Sequence, residues 1–221
     1  MTRFRAVLFD WGDTLFSPPD AARVIADMAA ERGVALAPGR AEALWEDLWT
    51  AGKAPDELAK GRDLSADAHR SVWTALFERA DAEVPGLGRA LYERVMDPAA
   101  WVPYPDTGPT LRALRRRGVK VGIVSNVPRD LRDVFAKHGL RDLVDEFTHS
   151  FEVGAEKPDP RIFRAACERL GVRPEETLMV GDHPVADGGA ADAGLDVLIL
   201  DGRGASDLPR GLDRVLERVG R

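Results

Sequence analysis

The sequence predicts an α/β protein: a doubly wound parallel sheet interrupted near its N-terminus by an inserted α-helical domain. Three observations carry that prediction. Val7-Leu8-Phe9, Val119 to Val124, Leu178-Met179-Val180 and Val197 to Leu200 are short apolar runs without alternation, as parallel strands covered on both faces require. Helical patterns separate them: Thr107 to Arg117 before Gly118, Arg129 to His138 before Gly139, and Pro160 to Leu170 before Gly171. Each ends on a glycine, which accepts the left-handed backbone that closes a helix. From Ser17 to about Ala100 strand-like runs vanish and apolar residues recur at helical spacing, as in Leu44, Trp45, Leu48 and Trp49, then Val72, Trp73, Leu76 and Phe77.

The expected division is therefore a core of residues 1–16 and 101–221 with a helical insert at 17–100. Pro18-Pro19 and Pro98 to Pro105 flank the insert, and proline-rich joints suit linkers. The tryptophan stripes are read as core packing, the ordinary use of an apolar helix face.

Composition narrows the function. The 221-residue chain is 44% apolar and 31% charged with a net charge of -6, a globular mixture that offers nucleic acid no electrostatic attraction. The single Cys167 excludes an internal disulfide and a cysteine-rich zinc site and fits a reducing compartment. The run Ala6 to Phe9 is cut short by Asp10, and the other apolar runs are equally brief, so neither signal peptide nor membrane span is expected. The cytoplasm is the expected location.

Residues able to do chemistry cluster just after predicted strands, where open α/β sheets hold their ligands. Asp10 to Thr14 follows the first strand, Ser125-Asn126 the second, and Gly181-Asp182 with Asp187 the third, while Lys157-Pro158 precedes a helix. Singly, each reads as readily as a cap, a turn or a solvated surface residue; their joint order points to one site. A carboxylate such as Asp10 can attack phosphorus if the repulsion between anions is offset. Oxygen ligands from Asp10 and Asp182 suit magnesium. Ser125 can donate to a phosphoryl oxygen, Lys157 supplies a fixed positive charge, and Asp187 can hold the metal's water shell or orient Lys157.

Phe9-Asp10-x-x-x-Thr14-Leu15, Val124-Ser125-Asn126, Val153-Gly154-x-x-Lys157-Pro158-Asp159-Pro160-x-Ile162-Phe163 and Val180-Gly181-Asp182-x-x-x-x-Asp187 resemble the four motifs of haloacid dehalogenase-like hydrolases. The third and fourth are the most specific, and the resemblance spans the chain. It implies a Rossmann-like core with a helical cap between the first and second motifs, and a magnesium-dependent phosphatase acting on a small phosphorylated substrate. It makes Asp10 the nucleophile, with Trp11, Thr14, Ser125, Asn126 and Lys157 on the substrate side and Asp10, Gly12, Asp182 and Asp187 on the metal side.

One position departs from the pattern. The family's phosphatases resemble Asp-x-Asp-Gly-Thr in the first motif, where this chain has Asp10-Trp11-Gly12-Asp13-Thr14. The resemblance gives the second acid two tasks, a carbonyl for magnesium and a side chain as general acid and base; Gly12 offers only the carbonyl. Loss of a general acid costs about 10²- to 10⁴-fold in rate, roughly 3 to 5 kcal/mol. Asp13 either replaces it or caps the loop. Three alternatives stay open. Dehalogenases lack the metal-type fourth motif that Asp182 and Asp187 preserve. Phosphonoacetaldehyde hydrolases share a tryptophan after the nucleophile but need a cap lysine, for which Lys53 and Lys60 are the candidates. A non-catalytic protein that binds phosphate or a partner has no need of the nucleophile. His183 is read as structural, and Lys53 to Asp63 as a candidate selectivity segment.

Overall fold

The computed structural model describes residues 3–200, 202 and 206–220. Its elements are β1 (Ala6–Phe9), β2 (Phe16–Ser17), α1 (Ala21–Glu31), α2 (Arg40–Gly52), α3 (Pro55–Leu58), α4 (Ala66–Phe77), α5 (Leu87–Met96), β3 (Val102–Pro103), α6 (Thr107–Arg116), β4 (Lys120–Ser125), α7 (Arg132–Lys137), β5 (Glu146–His149), α8 (Ser150–Val153), α9 (Pro160–Leu170), β6 (Thr177–Gly181), β7 (Asp196–Ile199) and α10 (Asp213–Gly220). They form two compact units, Met1–Ser17 with Val102–Arg221, and Pro18–Trp101. Among the described residues no helix is long and apolar enough to cross a membrane.

The first unit is built on a five-stranded sheet in the order β5-β4-β1-β6-β7. Every pairing between its strands is parallel, with Phe9 of β1 opposite both Ile123 and Val180. The chain steps outward from β1 to β4 and β5, then returns past β1 to β6 and β7. The direction reverses at β1, where such a sheet leaves a crevice beyond its carboxyl ends. Helix α9 is capped by Asp159, whose side chain accepts from the Arg161 N–H, and closes at left-handed Gly171. Its Ile162, Phe163, Ala166, Cys167 and Leu170 pack with Leu8, Val124 and Met179, the stripe expected of an amphipathic helix.

The structure departs from the sequence prediction in three places. Strand β5 is an addition: its Phe147 is preceded by Glu146 and followed by Thr148 and His149, the last two fully buried, so it carries no apolar run to read. The proline-rich return at Pro98 to Pro105 is not simply a linker, because Val102–Pro103 pairs antiparallel with Phe16–Ser17, and the Thr107 hydroxyl donates to the Leu15 carbonyl at 2.7 Å. Helix α7 starts at Arg132 rather than Arg129. Residues 127–131 form a loop instead, held by Ser150 Oγ accepting from the Val127 N–H at 3.0 Å and His149 Nε2 accepting from the Leu131 N–H at 3.3 Å. Burial holds the His149 imidazole below its ordinary pKa, in keeping with a neutral acceptor.

In the second unit the tryptophan stripes do pack inward: Trp49 stacks on Trp73 with ring centroids 5.6 Å apart, and Trp73 lies 5.1 Å from Phe77. Within the Lys53 to Asp63 stretch Glu57, Arg62 and Asp63 are buried, while Pro55, Asp56, Ala59 and Lys60 are exposed. The Arg62 guanidinium sits 4.3 Å over the Trp73 ring and donates to the Gly52 carbonyl at 2.6 Å; burying its charge is tolerable because of such partners.

Helix α5 crosses the end of α4 at Gly88, where a Cβ would lie 2.6 Å from Glu78 N and 2.8 Å from the Phe77 carbonyl carbon. Backbone cannot rotate away as a side chain can, so Gly88→Ala is expected to cost about 1–3 kcal/mol. Urea unfolding measures this, and an unchanged midpoint would show that the two helices part freely.

Candidate active site

Three strand ends and one turn bring the sequence-predicted residues together. The backbone places Asp10 directly after β1, with its N–H donating to the Val180 carbonyl at 2.9 Å, and Ser125 is the last residue of β4. Asp182 follows β6, and Lys157 stands in the turn before α9. Lys157 is 6% exposed, and its ammonium donates to Asp10 Oδ1 and to Asp187 Oδ1, each at 2.6 Å. Asp187 is wholly buried, and its other oxygen accepts from the His183 N–H at 2.9 Å. Of the two expectations for Asp187, the contact observed is with Lys157. His183 Nδ1 accepts from the N–H groups of Val185 and Ala186 at 3.2 and 3.1 Å, which makes it part of the turn.

Asn126, expected among substrate contacts, is occupied by the backbone of Lys157. Its amide donates to the Lys157 carbonyl at 3.0 Å and its oxygen accepts from the Lys157 N–H at 2.7 Å. Trp11, also expected there, is 6% exposed, packs on Phe16 at 6.2 Å and lies beneath the Arg129 guanidinium at 5.9 Å. Thr14 is fully buried, and its hydroxyl has no hydrogen-bond partner among the described residues. Asp13 is the one described non-glycine residue with a left-handed backbone, φ 58°, and it is 2% exposed. Its carbonyl accepts from Arg210 Nε at 2.6 Å. Arg210 is missing from the sequence prediction, and with nearly two hundred residues between the partners no local pattern signals the contact.

Carboxylate oxygens of Asp10, Asp182 and Asp187 lie within 4.8 Å of one another. Burial pushes the Asp10 carboxyl up to about 7; Lys157 opposes that shift, while Asp187 and Asp182 add to it. Burial works against the Lys157 charge, but Asp10 and Asp187 outweigh it and hold the ammonium above the usual lysine range. Three acids thus face one fixed cation. A hard divalent ion with oxygen ligands fits that donor set and its surplus of negative charge.

The sequence profile of the haloacid dehalogenase-like hydrolases matches residues 4–194. The chain belongs to this family. Relatives include the phosphoserine phosphatase of Thermus thermophilus, 32% identical over 89% of this chain and 88% of that protein. A stretch of 97 residues is 41% identical to haloacid dehalogenase-like hydrolase domain-containing protein 3 of Mus musculus, covering 44% of this chain and only 39% of that protein. Among solved structures, a haloacid dehalogenase-like phosphatase from Thermococcus onnurineus superposes with a TM-score of 0.63 at 26% identity, covering 98% of both chains. The L-2-haloacid dehalogenase of Xanthobacter autotrophicus gives 0.63 at 27% identity, over 89% of this hydrolase and 77% of that chain.

The raised pKa of Asp10 links the site to stability. In metal-free buffer the folded hydrolase holds this proton more tightly than the unfolded chain. That contribution is full below about pH 4 and is lost as pH rises through about 7. Asp10→Asn carries no such titration. Its stability relative to the unsubstituted protein is therefore expected to rise between pH 4 and pH 8, measured by urea unfolding in EDTA; a pH-independent difference would contradict the shift.

Proposed function

We propose that this hydrolase is a magnesium-dependent phosphatase that passes the phosphoryl group of a small phosphorylated metabolite to Asp10 and then to water. The observation that carries the reading is the Lys157 ammonium held 2.6 Å from both Asp10 and Asp187. It places a fixed positive charge beside the attacking oxygen, where charge develops during transfer. An Asp10 oxygen forms a bond to phosphorus as the bond to the leaving oxygen breaks, and water later cleaves the aspartyl-phosphate, returning the carboxylate. Ser125 donates to the phosphoryl oxygens with Lys157. Asp10, Asp182 and the Gly12 carbonyl hold Mg²⁺, which supplies charge neutralisation between nucleophile and substrate. Asp187 keeps Lys157 aimed, and Asn126 fixes the turn that carries it.

The helical unit, inserted between the first and second motifs, is the part we assign to substrate selection as a cap. A Schiff-base role for Lys60 is disfavoured by its ion pair with Glu57 at 2.7 Å, and dehalogenation by the three-carboxylate cluster. A cytoplasmic location is supported by the free, buried Cys167. For Asp13 we favour the loop-holding role over that of general acid. Its left-handed backbone and 2% exposure commit it to the turn.

Hydrolysis of p-nitrophenyl phosphate is expected to need Mg²⁺ and to stop with EDTA, and Asp182→Ala is expected to raise the Mg²⁺ requirement steeply. Undiminished turnover in metal-free buffer would turn the assignment toward dehalogenase-like chemistry. Without a general acid at position 12, poor leaving groups suffer most, so aryl and acyl phosphates are expected to outpace sugar phosphates. Asp13→Asn keeps a residue tolerant of the left-handed conformation and is expected to leave that ratio unchanged. A selective loss of about 10² or more on alkyl phosphates would instead make Asp13 the acid.

A further inference from the structure

The first-motif loop is a tight turn closed on itself. Trp11 O accepts from the N–H groups of Leu15 and Phe16 at 3.0 and 2.9 Å, and the Asp13 N–H donates to Phe16 O at 2.8 Å. Asp13 takes the left-handed backbone, φ 58°, that Asp accepts more readily than most residues, and its carbonyl is left facing away from the turn's own hydrogen bonds. The Arg210 guanidinium meets that carbonyl. Its Nε donates to the Asp13 carbonyl at 2.6 Å, and its Nη2 donates to the carbonyls of Leu200 and Gly202 at 3.2 and 2.7 Å. The Leu200 N–H in turn donates to the Gly181 carbonyl at 2.8 Å, one residue before Asp182. One buried fork therefore joins the loop behind Asp10 to the strand end beside Asp182.

Arg210 is itself anchored. The Asp106 carboxylate accepts from the backbone N–H groups of Arg210, Gly211 and Leu212, each at 2.9 Å. The guanidinium is thus aimed by its backbone as well as by its acceptors. A lysine cannot replace it, because a single ammonium lacks the planar fork that meets several carbonyls at once.

We propose that Arg210 is a positioning residue for the phosphatase site: by pinning the Asp13 carbonyl it fixes the direction of the adjoining Gly12 carbonyl and so tunes Mg²⁺ binding. The proposal rests on the reading above that Gly12 faces the metal. Groups that orient metal ligands from behind typically change affinity by about 10- to 100-fold when lost.

The test compares Arg210→Met with Leu212→Ala. The second removes side-chain volume at a fully buried position in the same segment but keeps the guanidinium. Mg²⁺ affinity is measured by calorimetry, and amide exchange at Asp13 and Phe16 by NMR. Arg210→Met is expected to weaken Mg²⁺ binding by about tenfold or more, to speed exchange of both amides, and to lower kcat more than it alters KM. Leu212→Ala is expected to lose stability while keeping wild-type Mg²⁺ affinity. Equal weakening in both variants, or wild-type affinity in Arg210→Met, overturns the proposal. If Arg210→Met does not fold, Arg210→Lys decides, with weaker Mg²⁺ binding expected and unchanged binding overturning it. Absence of Mg²⁺ binding by the unsubstituted hydrolase refutes the functional reading instead, and amide exchange then still tests whether Arg210 holds the loop.

Discussion

The site depends on one buried ammonium shared by two carboxylates. Lys157 meets Asp10 and Asp187 at 2.6 Å each, and a charge taken out of water in this way persists only when its partners are close and well aligned. The surroundings serve that alignment. Asn126 grips the Lys157 peptide from both sides, and the His183 peptide holds Asp187. Gly181 leaves room for the acid, since a Cβ there would overlap the Asp187 carboxylate. The glycine of the fourth motif is thus a spatial requirement of the ion pair.

The same arrangement carries excess negative charge. Asp182 brings a third carboxylate into the cluster, and Asp10 is left with its proton held up to about 7. A divalent cation bound beside this carboxyl would favour its ionised form, the form able to attack. In the proposed mechanism the metal would thus stabilise the same form of Asp10 that attacks phosphorus. The order Gly12-Asp13 is compatible with the proposed metal site, because a carbonyl ligand needs no side chain.

Much of the core was legible because burial on both faces writes itself as uninterrupted apolar runs. Val121, Ile123, Val124, Leu178, Met179 and Val180 are all buried as those runs predict. Edge strands break the rule from opposite sides. Strand β5 hides Thr148 and His149, while β7 is half-buried throughout despite its apolar Val197-Leu198-Ile199. Asn126 was visible as part of a motif, yet its commitment to the Lys157 backbone depends on two strand ends meeting.

The sequence by itself determined the α/β class and singled out Asp10, Ser125, Lys157, Asp182 and Asp187 as candidates for one site, because periodicity and motif order are local properties of the chain. Tertiary structure decided which of them touch. It paired Asp187 with Lys157, packed Trp11 against Phe16, put Asp13 into a left-handed turn and brought Arg210 to its carbonyl. Such contacts join residues up to 197 positions apart in the chain, and no window of sequence contains both partners; only the folded sheet, reversing direction at β1, brings them into one place.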